Sequence, residues 1–513
     1  MAYAETAQRA VEELLFFSGE TGLVDPEDIA FARNLLLDAM GLDAPGEAVE
    51  PFPLPETAAP FIEKLLNAAV GMGRLEDTAT QRELFAARLM GCVTPAPAAV
   101  RREFQSRYDM EGPAAATDWF YKLCRDCDYI RVDQIKKNIR YFAKTGCGEL
   151  EITINLSKPE KDPKEIAKLK NAPQSGYPKC MLCVENPGYA GRLNYPARQN
   201  HRLVPLNLAG DRWYFQYSPY LYYPEHCIVL NGRHVPMAIT RKSFERLFCF
   251  ADQFPHYFIG SNADLPIVGG SILNHDHFQG GRYVFPMDRA GDRLRLAAPV
   301  KGVRAAVIDW PMSALALEGK DGQALAGLAF DILQAWRGYS DPGREILHFT
   351  TEPHNTLTPI LRKTDAGYRL VLVLRNNRTT AEHPLGLFHP HAPLHHIKKE
   401  NIGLIEVMGL FILPGRLKEE LKALEGYLTG EKPLETPGKD DPSHKHFPWI
   451  LEVASRSGIC LDQEEARKTL ENAVADVCCQ VLEDAGVYKR TEDGLAGLLD
   501  FLKTAGFSPL MKP

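Results

Sequence analysis

The run Gly269-Gly270-Ser271-Ile272-Leu273-Asn274-His275-Asp276-His277-Phe278-Gln279-Gly280-Gly281 constrains this chain more than any other. In an extended strand alternate residues share a face, which would set His275, His277 and Gln279 on one side and Asp276 and Phe278 on the other. Glycine pairs flank the run, and their bare backbone lets amides approach a phosphate closely. Three nitrogen-bearing side chains on one face are an unusual choice for a strand that only supports a fold. The plainer alternative is a polar surface strand between turn glycines.

The surroundings indicate an α+β middle between helical ends. Up to about residue 140, segments such as AETAQRAVEELLFF, PEDIAFARNLLLDAMG and AAPFIEKLLNAAVGMG repeat apolar residues at three and four, with Asp, Pro and Gly at the joints. LEITINLS alternates with period two, and EHCIVLNGRH (225–234) and YRLVLVLRNN (368–377) are β-branched runs that end in turn residues. Between them TRKSFERLFCFADQF (240–254) and GQALAGLAFDILQAWRGY (322–339) read as helices. Helix returns after about 415, interrupted by the Pro- and charge-rich EKPLETPGKDDPSHKHFP. Strand-like runs precede both His275-Asp-His277 and His389-Pro-His391, which hints at a duplicated unit; chance remains the alternative for two such tripeptides among 15 histidines.

Charge and cysteine content exclude several classes. With 59 basic and 66 acidic side chains, a net charge of −7 and no dense Lys/Arg run, the chain lacks the footprint of a general nucleic-acid or membrane-surface binder. No stretch approaches the roughly 18 apolar residues a spanning helix needs, and the first residues do not resemble a signal peptide. These features lead us to expect a cytoplasmic protein. Eleven scattered cysteines suggest reduced thiols, with C-x-x-C spacing at Cys124/Cys127 and Cys180/Cys183.

The H-x-H-x-Q run after a glycine/serine loop resembles the active-site signature of the hexose-1-phosphate uridylyltransferases, the transferase branch of the histidine-triad superfamily. EHCIVLNGRHVPM and YPKCMLCVENPGYAGR resemble that family's metal-binding segments. EPHNTLTPILRK, YRLVLVLRNNRT, LFHPHAPLHHIKKENIGLIEVMGLFILPGRL and GVYKRT resemble its bacterial class II branch, in order from about 120 to 490. The resemblance implies a duplicated histidine-triad-like half-barrel of mostly antiparallel sheet. It divides the chain into a helical region (1–145), a first half with the active site (146–300), a second half (301–430) and a C-terminal linker and helical region (431–513).

It further implies that His277 attacks the α-phosphorus of UDP-glucose to give a uridylyl-histidine, which galactose 1-phosphate then takes up; a neutral imidazole is a competent nucleophile near pH 7. Gln279 stands where the superfamily's hydrolases carry a third histidine. An amide can donate a hydrogen bond to the phosphoryl oxygens but delivers no proton, and a sugar-phosphate leaving group is already a stable anion, so Gln279 favours transfer over hydrolysis. Substrate contacts are expected from Asn262, Gly270 and Ser271, from Lys158 and Lys161 after the LEITINLS strand, and from Lys398 and Lys399 in HHIKKEN. Each lysine has a solvated side chain as its alternative.

By the same resemblance Cys180, Cys183, His234 and His275 would form a structural Cys₂His₂ zinc site. Cys124 and Cys127 are expected to have no functional role. A second metal near His389 and His391 is left open, since EPHNTLTPI departs from the family's pattern. The resemblance also implies a homodimer and no nucleic-acid or membrane partner. Two competing readings are a dinucleoside-polyphosphate phosphorylase or nucleotidyl hydrolase of the same superfamily, and a non-catalytic zinc-organised nucleotide-binding protein.

Overall fold

The computed structural model describes residues 2–157, 175–270 and 272–510. Numbered in chain order, its strands are β1 (Ile139–Thr145), β2 (Gly148–Asn155), β3 (Val204–Leu208), β4 (Asp211–Tyr217), β5 (Cys227–Asn231), β6 (Phe258–Gly260), β7 (His277–Gly281), β8 (Asp292–Ala297), β9 (Arg304–Ile308), β10 (Ala314–Gly319), β11 (Asn355–Thr364), β12 (Gly367–Asn376), β13 (Leu410–Pro414) and β14 (Ser508–Pro509). The described residues fall into two compact units, one from 1–137 and 157–235, the other from 138–156 and 236–513.

In the first unit, the three- and four-residue spacing of Ala7, Ala10, Val11, Leu14 and Phe17 gives helix Ala2–Glu20 one buried stripe. It packs against helix Ala59–Gly71, which buries Phe61, Ile62, Leu65, Leu66 and Ala69 in return. Pro97 and Pro113 open their helices, where a missing N–H costs nothing. Strands β3, β4 and β5 form an antiparallel meander. Its first turn, Ala209-Gly210, has both residues at positive φ, the two-residue geometry that matches strand twist. Trp213, Phe215 and Tyr217 alternate into the core, where Phe120 packs on the last two.

The second unit holds two sheets. β1 and β2 form a hairpin, with β13 parallel to β2. The larger sheet runs β14-β8-β9-β10-β12-β11-β6-β7, antiparallel throughout. Helices Arg241–Gln253 and Gly322–Arg337 pack on each other and on its strands; the second is capped by Asp321, whose carboxylate accepts from the N–H groups of Gln323 and Ala324. β11 and β12 are buried along most of their length, which explains their continuous apolar runs.

The chain is thus α+β, and the order of elements repeats. Three meander strands, a helix and a two-strand hairpin occur as β3-β4-β5, helix 241–253 and β6-β7, then as β8-β9-β10, helix 322–337 and β11-β12. This is the duplication hinted at by the two H-x-H runs, although His389 and His391 lie in a loop beyond β12 and not on a repeated strand. The expectation of reduced thiols is corrected at one pair: Cys147 and Cys479, 332 residues apart, form a disulfide with Cα atoms 5.9 Å apart. Among the described residues no helix is long and apolar enough to cross a membrane.

Candidate active site

The loop from β6 to β7 is held by contacts its sequence does not announce. The Asp264 carboxylate accepts from the Ile239 N–H (2.8 Å) and the Thr356 hydroxyl, and lies 3.2 Å from the Arg337 guanidinium. Asn262 is buried, and its Oδ1 accepts from the Leu404 N–H at 2.8 Å. Gly270 packs on that amide: a Cβ at 270 would come within 2.6 Å of Asn262 Nδ2. Gly269 is tighter still, since its Cβ would meet the carbonyl oxygens of Ala263 and Leu265 at 2.6 and 2.7 Å. The structure therefore brings Asn262 and Gly270 together. Ser271, Lys158 and Lys161 lie outside the described residues.

The strand expected to carry three aligned side chains begins only at His277. His277 and Gln279 share a face, but His275 precedes the strand in a bend, so the alternation fails for it. His277 Nδ1 lies 2.8 Å from the carbonyl oxygen of His275, two residues back along the chain. Because a carbonyl only accepts, Nδ1 carries the hydrogen and donates, and the lone pair of the neutral ring sits on Nε2. Burial lowers the His277 pKa to about 4; the bond to the His275 carbonyl works against that shift, and the neighbouring His275 ring adds to it. The result is a buried imidazole, 5% exposed, that is unprotonated at neutral pH and has a fixed tautomer.

Arg375 on β12 was not singled out by sequence. It is 1% exposed, donates from Nη2 to the Ile402 carbonyl at 2.8 Å, and has no acceptor for Nε among the described residues. Burial lowers its pKa to about 10, against the raising effect of Glu406. Holding Ile402 fixes the chain two residues before Leu404, whose N–H holds Asn262. Its signal in sequence is only a charged residue ending an apolar run.

In the first unit, Cys180 and Cys183 place their sulfurs 3.6 Å apart, and Cys183 Sγ lies 3.1 Å from His234 Nδ1. Zinc bonds of about 2.3 Å to sulfur and about 2.0 Å to nitrogen would set tetrahedral edges near 3.8 and 3.5 Å, so these three donors fit a shared ion with small adjustments. Burial pushes the Cys180 thiol up to about 12, with the adjacent Cys183 adding to the shift. The fourth expected ligand, His275, belongs to the second unit and is buried there.

The remaining expected residues disperse. Lys398 is buried, its ammonium 3.1 Å from Glu406 and 3.7 Å from Glu400; burial alone would lower its pKa, but these carboxylates outweigh it and raise it. Lys399 is exposed. His391 stacks on His383 at 4.1 Å with Nδ1 3.5 Å from Asp484, and His389 Nδ1 meets the Pro390 carbonyl. Among the described residues neither belongs to a cluster close enough to share an ion. Cys124 and Cys127 are buried, with Cys127 Sγ 3.5 Å from the Asn200 carbonyl oxygen.

Comparison with known proteins identifies the family. Residues 27–236 match the N-terminal domain and residues 250–433 the C-terminal domain of galactose-1-phosphate uridyl transferase. The galactose-1-phosphate uridylyltransferase of Caldanaerobacter subterraneus subsp. tengcongensis is 50% identical over 509 residues, 98% of each chain. That of Halalkalibacterium halodurans is 47% identical over 96% of this chain and 98% of its own, and that of Bacillus subtilis 46% over 98% of each. With both domains matched in order and relatives near half identical over their whole length, the chain belongs to the galactose-1-phosphate uridyl transferase family.

Proposed function

We propose that the protein moves a uridylyl group from UDP-glucose to galactose 1-phosphate by a ping-pong route through His277. The observation that carries the residue assignment is the buried neutral imidazole whose Nδ1–H is committed to the His275 carbonyl. Nε2 attacks the α-phosphorus; a P–N bond forms, the bond to the bridging oxygen breaks, and glucose 1-phosphate leaves with that electron pair. The modified ring is cationic while Nδ1 keeps its hydrogen, and the His275 carbonyl dipole stabilises that charge. A phosphate oxygen of galactose 1-phosphate then attacks, the P–N bond breaks, and His277 returns neutral with UDP-galactose released.

Gln279, on the same strand face, donates to the transferring phosphoryl oxygens without supplying a proton. Asn262, Gly270 and Ser271 are assigned to the phosphates, as are Lys158, Lys161 and Lys399; Lys398 reaches them only by leaving Glu406. A duplicated half draws support from the repeated element order, although that order sets the break between β7 and β8, ahead of the expected boundary of 146–300 and 301–430. We also propose a cytoplasmic homodimer.

The deciding assay offers UDP-glucose with galactose 1-phosphate, and in parallel diadenosine tetraphosphate with phosphate. Turnover of the first pair alone is expected; turnover of the second alone would make the protein a phosphorylase, and binding without turnover a non-catalytic protein. The first half-reaction should also be flat with pH well below neutrality. Nucleophilic His277 is the unprotonated form, its pKa is lowered to about 4, and kcat/KM for UDP-glucose should therefore hold to about pH 5 and fall below it. A decline centred near 6.5 would show a solvated imidazole instead. The linked stability term has the same sign: the unfolded histidine takes its proton first, so this group's contribution is present above about 6.5 and is lost as pH falls toward 4.

Zinc is assigned to Cys180, Cys183, His234 and His275 in a structural role, fixing the chain at either end of the family's signature segments. Metal analysis of purified protein should find one zinc per chain, lost in Cys183→Ser together with a lower Tm. Full Tm with no metal would remove zinc from the assignment.

A further inference from the structure

The second unit holds a cavity of about 470 Å³ that no step above uses. The strand registers place it on the sheet. Gln279 faces Gly260, Gly260 faces Ile360, Ile360 faces Val371, Val371 faces Ala316, Ala316 faces Ala306 and Ala306 faces Arg295. Residues directly opposite in antiparallel strands point to one side. The face bearing His277 and Gln279 is therefore the face bearing Arg295, Ala306 and Ala316. Six strand steps of about 4.8 Å separate the two ends, about 29 Å along the sheet, so the cavity is a separate place.

Two adjacent rows build it. Ala306 and Ala316 lie opposed, and Ala297 lies opposite Arg304. Three alanines leave a depression where larger side chains would fill the face. The neighbouring row places Arg304, Glu318 and Arg369 in line, with Glu318 accepting from both guanidiniums. With Arg295 and Lys301 the lining carries four bases against two acids, in a chain whose net charge is −7. One carboxylate shared by two guanidiniums leaves most of their donors unused, the Arg304 side chain is 79% exposed, and Arg295 pairs loosely with Asp292 at 3.4 Å. Arg369 sits on β12, the last strand of the second copy, as His277 sits on β7, the last strand of the first.

We propose that this cavity is a second ligand site, for a phosphate ester of nucleotide or sugar-phosphate size. Arginine forks suit a phosphate, the alanine floor suits the flat face of a ring or sugar, and the volume falls in the range of small-molecule pockets. The duplicated half has kept a ligand face and exchanged histidine chemistry for arginine binding.

Calorimetric titration of the full chain with UMP, glucose 1-phosphate and inorganic pyrophosphate tests this. UMP or glucose 1-phosphate is expected to fill two sites, and whichever does so identifies the source of the phosphate. Ala306→Phe should fill the depression and abolish the second site with uridylyl exchange unchanged. The double variant Arg304→Gln/Arg369→Gln keeps the surface polar and folded, and should weaken the second site about tenfold or more, also without loss of exchange. One site for every probe in the wild-type chain, or an unweakened second site in the double variant, overturns the proposal.

Discussion

Incubated with UDP-glucose alone, the wild-type chain is expected to gain the mass of one uridylyl group, and the His277→Ala chain to gain none. Exchange with galactose 1-phosphate should fall by about 10⁴-fold or more, since removing a covalent nucleophile leaves only binding and electrostatics to act. The loss is separable from misfolding. Deleting the imidazole strands the His275 carbonyl without its donor, at about 1–3 kcal/mol, which lowers Tm but leaves the sheet intact. A His277→Ala chain that still acquires the label would move the nucleophile elsewhere. A wild-type chain that acquires it but passes it to water or phosphate would keep the nucleophile and change the reaction.

Much of the fold was legible where periodicity is local. The stripe of Ala7, Val11 and Leu14, and the apolar run that became β12, needed only sequence spacing. His277 and Gln279 were legible for the same reason, because two residues on one short strand keep their alternation. His275 was not, since the chain bends there and the strand starts only at His277. Asp264 and Arg375 escaped because their partners, Thr356, Arg337 and Ile402, lie from 27 to 92 residues away and are chosen by tertiary packing. Cys147 and Cys479 are an extreme case, joined across 332 residues. Lys398 shows the opposite failure: its place in a suggestive segment says nothing of Glu406, which holds it.

Gly269→Ala adds one carbon, removes no hydrogen bond and changes no charge, yet it is expected to cost about 100-fold in kcat. The added Cβ would sit 2.6 Å from the Ala263 carbonyl oxygen and 2.7 Å from that of Leu265, both main-chain atoms that cannot rotate aside. Relief requires the backbone of the loop to move by nearly 1 Å, and misplacement on that scale is enough to lose about 10² in rate when it carries groups that orient a reacting phosphorus. The loop that moves is the one anchored by Asp264, and it leads through Gly270 to the segment preceding His277. Gly270→Ala should be milder, since the obstacle there is the Asn262 side chain, which can turn if it gives up the Leu404 N–H. Gly291→Ala, with nothing within 4 Å of its Cβ, should leave kcat unchanged. The labelling half-reaction separates the causes: Gly269→Ala should still form the uridylyl-enzyme, slowly, because His277 and its tautomer are intact. Wild-type kcat in Gly269→Ala would mean that the loop yields freely and does not position the phosphate.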